Sequence, residues 1–79
     1  MPEENRILGV VLFHTSSAAL RAEKVLLKGG LQVKLIPTPR EFSSDCGIAL
    51  RFNWSQSAQV QGLLESGHVE LASVHPLSN

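Results

Sequence analysis

The stretch "RILGVVLFHTSSAALRAEKVLLKGG", residues 6–30, decides the fold. Its first part, Ile7 to Phe13, is nearly all apolar and rich in branched residues, the pattern of a strand buried on both faces or central in its sheet. Three hydroxyl residues follow, Thr15, Ser16 and Ser17, each able to cap a helix, and Gly29 and Gly30 are natural stop residues. Between them Ala19, Ala22, Leu26 and either Val25 or Leu27 recur at helical spacing. Arg21, Glu23, Lys24 and Lys28 supply the polar face. A strand therefore leads directly into an amphipathic helix.

Working outward, "LQVKLIP" (31–37) alternates, with Val33 and Leu35 opposing Gln32 and Lys34. Pro37 and Pro39 then end the pairing, which predicts an edge strand. "IALRFNW" (48–54) alternates again, Ile48, Leu50 and Phe52 opposing Ala49, Arg51 and Asn53. A second helix is expected over 55–65, with a serine cap, Val60, Leu63 and Leu64 inward and Gly67 as its stop. Gly62 weakens it by about 1 kcal/mol relative to alanine. "HVELASV" (68–74) reads as the last strand, with His75 to Asn79 a loose tail like Met1 to Asn5. Strand, helix, strand, strand, helix, strand is the order of two split βαβ units. It predicts an α+β, ferredoxin-like βαββαβ sandwich, a four-stranded antiparallel sheet with both helices on one face.

The chain of 79 residues is read as a single domain, 1–79, with an ordered core over about 6–74. Hydrophobic residues are 43% and charged residues 18% of the chain, a globular composition. Seven basic residues balance seven acidic ones, so no general attraction to nucleic acid or anionic lipid is expected. Phe13, Phe52 and Trp54 fall in or beside the expected strands and read as packing rather than base-stacking groups. The apolar run 7–13 is too short to span a membrane, and "MPEENR" is not a basic secretory leader. A cytoplasmic location without membrane or nucleic-acid partners is the expectation.

Cys46 is the one cysteine, so it makes no internal disulfide. It lies in "PREFSSDCGIAL" (39–50), between turn-forming residues and the third strand. In the expected topology this loop shares one end of the sheet with His14, Thr15, Ser16 and Ser17 at the start of the first helix. A helix N-terminus favours an anion, and a thiolate is one. Gly47 would let the backbone approach the sulfur, and Arg40 would add a full positive charge. Such surroundings favour the nucleophilic thiolate. Asp45 opposes it if its carboxylate lies near the sulfur, while Ser43 and Ser44 are turn residues whose hydroxyls can donate to an anion.

The bland alternative is a cysteine that packs as a small apolar residue. With no second cysteine, an internal dithiol cycle is excluded and carrier, sensor or partner-dependent roles remain. Hydrolysis with His14 as base lacks an acidic orienter and a substrate cleft. A metal set of His14, Cys46 and His68 is a further alternative, although its spacing matches no zinc signature. Pro37 and Pro39 read as strand terminators, and His75 has no assigned role.

With these residues in view, the chain resembles the Se/S carrier protein-like family of small, mostly bacterial domains. The similarity runs through "HTSSAALRAEKVLLKGG" and "VKLIPTPREFSSDCGIALRF" and is most specific in "PTPREFSSDCGIAL". The resemblance implies that Cys46 is the chalcogen-carrying cysteine, with Gly47 its companion, Pro39 and Arg40 the start of the loop, and Glu23 a helix acid of unassigned role. It implies a carrier of sulfur or selenium, as a persulfide or selenosulfide, rather than a stand-alone enzyme. Donor and acceptor proteins are then the partners, and no cofactor is required. From a different class, the alternative is a non-catalytic interaction module that pairs through an exposed sheet edge or outer sheet face, a homodimer included.

Overall fold

The computed structural model of the chain describes residues 7–42 and 46–77. In chain order its elements are β1 (Leu8–Leu12), α1 (Ser16–Lys28), β2 (Lys34–Pro37), β3 (Ile48–Asn53), a 3₁₀ turn (Trp54–Gln56), α2 (Ser57–Ser66) and β4 (Ser73–Leu77). The strands form one sheet in the order β2-β3-β1-β4, with every neighbouring pair antiparallel. This is the α+β, ferredoxin-like arrangement expected from the sequence. The apolar β1 and the alternating β3 are its central strands. Among the described residues no helix is long and apolar enough to cross a membrane.

Alternation sorts the side chains onto two faces. On one face Val11, Leu50 and Phe52 join Ala19, Ala22 and Leu26 of α1 and Val60 and Leu64 of α2 in the main core. Of the two candidates at the edge of the α1 stripe, Val25 packs against this core whereas Leu27 is 51% exposed. On the opposite face Val10, Leu12 and Ala49 make a second buried cluster, against which Ile36, Phe42 and Leu77 pack. The unbroken apolar character of β1 thus has a cause. Its helix side meets α1 and α2, and its other side is covered by Phe42 of the loop after β2.

Thr15 is the N-cap of α1, its hydroxyl accepting a hydrogen bond from the Ala18 amide at 3.2 Å. Gly29 closes the helix, its amide donating to the Val25 carbonyl. Arg21 donates to the Gly67 carbonyl at 3.4 Å, tying α1 to the end of α2. Gly9 of β1 leaves room for two rings. A Cβ there would lie 2.5 Å from Trp54 Cε3 and 2.6 Å from Phe52 Cζ, and the two rings stack with centroids 5.9 Å apart.

Three elements differ from expectation. β2 begins at Lys34 rather than at residue 31, because Leu31 is used to close α1, its amide donating to the Leu26 carbonyl. The second helix starts at Ser57, after a 3₁₀ turn, and its N-cap is Gln56 without a side-chain hydrogen bond, so Ser55 is not the cap. The largest difference is the last strand, which is Ser73–Leu77 rather than 68–74. Val69 alternates with Leu71 in sequence, but its amide donates to the Leu64 carbonyl and its side chain completes the main core. His68, at φ 58°, makes the left-handed turn that this closure needs. The chain joins the sheet only where the Ala72 amide donates to the Leu12 carbonyl, at 2.7 Å. His75, assigned to the tail, is therefore in β4, opposite Val10.

Candidate functional site at the β2–β3 loop

The sheet pairing of β2 and β3 ends at Pro37 and Ile48, and one further bond closes the neck of the loop, from the Thr38 amide to the Gly47 carbonyl at 3.0 Å. The Thr38 hydroxyl donates to the Cys46 carbonyl at 2.9 Å. A turn over Pro39 to Phe42, closed by the Phe42 amide on the Pro39 carbonyl at 3.0 Å, brings the chain back over the sheet. There the Phe42 ring stacks on His75, with centroids 4.7 Å apart and planes 22° from parallel. His75 Nε2 is 2.9 Å from the Ser73 hydroxyl. The loop is thus fixed at its neck to its own strands and at its crest to the far edge strand. Ser43, Ser44 and Asp45 lie outside the described residues.

Cys46 is buried, 4% exposed, and is in no disulfide. Gly47 beside it is exposed, and a Cβ built there meets nothing within 4 Å among the described residues. Arg40 is exposed in the Pro39–Phe42 turn.

Strand register puts the other candidates at the same end of the sheet. Leu12, the last residue of β1, pairs with Ala49 on one side and Ser73 on the other. The chain leaving β1 toward α1, the chain entering β3 from Cys46 and the chain entering β4 therefore emerge together. His14, Ser16 and Ser17 are all exposed here, and the hydroxyl that caps α1 is that of Thr15. His68 is exposed on the connection from α2 to β4. A cavity of about 380 Å³ opens at this end, lined among others by Thr15, Ser17, Arg21, His68 and Glu70. Cys46 does not line it. His14, Cys46 and His68 do not come together as metal ligands: among the described residues no group of three His, Cys, Asp or Glu could hold a metal ion.

The pairing of Phe42 with His75 was not among the expectations from the sequence. The signal was present in β1: Val10 and Leu12 are apolar on the face the helices leave open, so something apolar had to cover them. Phe42 is the aromatic residue of the adjoining loop.

No curated protein and no solved structure matches the chain. A family model described as "Putative Se/S carrier protein-like" matches residues 8–76, from β1 through the cysteine loop into β4. That span is most of the chain, and the protein belongs to this family.

Proposed function

We propose that the protein carries sulfur or selenium on Cys46 and passes it to a partner protein. The observation that carries this reading is the family match, which spans the loop holding the one cysteine. The chemistry needs a single thiol. The Cys46 thiolate attacks the terminal sulfur of a donor persulfide, the donor's sulfur–sulfur bond breaks, and the donor leaves as a thiolate. Attack by an acceptor nucleophile on the terminal sulfur of the Cys46 persulfide then releases the Cys46 thiolate. No net oxidation or reduction occurs in either step. A donor selenosulfide delivers selenium in the same way. Arg40, Gly47, Ser16, Ser17, His14 and Ser44 are the proposed surroundings of the charged forms, with Arg40 the one formal cation among them.

Burial sets a condition on this reading. Cys46 is 4% exposed, so its thiol meets a donor when the loop opens. Among the described residues, the attachments to be released include two bonds from Thr38, one turn bond, and the Phe42 ring with its stack on His75 and its packing on the sheet. Local openings of this kind cost less than global unfolding. The same burial favours a second reading, in which Cys46 only packs under the loop.

Alkylation of Cys46 in the folded protein, followed by intact mass at increasing low urea, separates the two. Opening of the loop alone gives a labelling rate nearly independent of urea well below the unfolding transition. A rate that rises with urea in parallel with the unfolding constant means that the thiol reacts only from the unfolded chain, and contradicts the carrier reading.

A further inference from the structure

At the end of the sheet away from Cys46, a cleft of about 420 Å³ lies between the loop after α1 and the exit of β3. Its walls include Leu8, Val33 and Phe52, and its polar side chains are Gln32, Lys34, Arg51, Asn53 and Gln56. No acid lines it. Lys34 and Arg51 are direct cross-strand partners in the β2–β3 ladder. Among the described residues neither side chain has a hydrogen-bond or ion-pair partner. Like charges directly opposite each other on an antiparallel pair destabilise it. The chain keeps two such charges beside a cleft whose other polar groups are amides able to donate.

We infer that this cleft binds a small molecule bearing a phosphate ester, with Lys34 and Arg51 on the phosphate and the amides of Gln32, Asn53 and Gln56 on the rest of the ligand. A phosphate brings two negative charges to a pair of cations that repel each other in its absence, and a guanidinium can offer two parallel donors to two of its oxygens. The cleft volume falls within the range of small-molecule sites, roughly 300 to 1,000 Å³. The site is independent of Cys46. Leu8 and Asn53 pair at one end of the β1–β3 ladder, and Leu12 and Ala49 pair at the other, where the cysteine loop enters.

The test is titration of the full chain with adenosine monophosphate, used as a phosphomonoester, and with adenosine as control, followed by backbone amide shifts and thermal midpoint. The expected result is saturable shifts at residues 32–34 and 51–56 with the nucleotide and none with adenosine. Arg51→Gln weakens binding about tenfold or more, the loss expected when a charge-assisted hydrogen bond is removed. Without ligand, Arg51→Gln and Lys34→Gln melt at or above the parent midpoint because the repulsion is gone, and the nucleotide raises the midpoint of the parent chain but not of the Arg51→Gln variant. Absence of saturable shifts, equal shifts with adenosine, or equal affinity in parent and Arg51→Gln overturns the inference. If both variants melt below the parent and none is stabilised by the nucleotide, Lys34 and Arg51 serve the edge strand alone.

Discussion

The ring of Phe42 stacks on His75 at 4.7 Å, so the loop that joins β2 to β3 and carries Cys46 is fastened to the far edge strand β4, which lies beyond β1 from β3. The same ring covers Val10, Leu12 and Ala49. Phe42→Ala should therefore act in two ways. It uncovers apolar surface and costs about 1–3 kcal/mol of stability, the order expected for truncating a partly buried aromatic. It also frees the loop crest, so native-state alkylation of Cys46 accelerates by more than the stability loss alone would give. Urea unfolding and labelling on the same sample check both. An unchanged labelling rate at reduced stability means that the stack does not restrain the cysteine.

Thr38→Val removes the hydroxyl that donates to the Cys46 carbonyl while keeping the side-chain shape. A part-buried bond of this kind contributes about 0.5–1.5 kcal/mol. If opening of the neck limits access to Cys46, labelling should rise by about twofold to tenfold, the same free energy expressed as a rate. Alkylation kinetics below the unfolding transition measure it.

Gly9→Val places a side chain where Trp54 Cε3 and Phe52 Cζ already lie within 3 Å of the first added carbon. Both rings must shift, and overpacking of this kind costs about 1–3 kcal/mol. The loss should appear in urea unfolding together with a changed tryptophan emission, because Trp54 is the chain's one tryptophan. Gly62→Ala is the contrasting case. A Cβ at Gly62 meets nothing within 4 Å, so it should stabilise α2 by about 0.5–1 kcal/mol through helix propensity.

Thr15→Ala should cost about 0.5–2 kcal/mol, since its hydroxyl is the cap of α1. Ser16→Ala and Ser17→Ala should leave stability within about 0.5 kcal/mol, as exposed positions past the cap. If the two serines support the charged form of Cys46, their replacement should slow chalcogen loading at unchanged stability. Thermal melts and loading rates on the same variants make the comparison.

The fold was legible wherever one element's own residues fixed it. β1 is apolar enough to demand a central place, α1 carries its cap, its buried stripe and its stop glycines in one stretch, and β3 alternates through its whole length. The last strand was not legible, because Val69 looks the same in sequence whether it alternates in a sheet or closes a helix. The closing bond to Leu64 decided it, and the strand then fell on residues that include Pro76, which a sheet accepts at an edge. The candidate site was legible as a place and not as an environment. Strand directions put Cys46 at the α1 end of the sheet, whereas its burial and the bond from Thr38 depend on how the loop folds over β1 and β4.

Acceptance of a chalcogen by Cys46 in the folded protein is read by intact mass after native incubation with a low-molecular-weight persulfide donor. The expected result is a gain of one sulfur atom, reversed by dithiothreitol and absent in a Cys46→Ser variant that melts like the parent. No gain on the folded chain, with loading appearing only after denaturation, would contradict it and leave Cys46 as a packing residue.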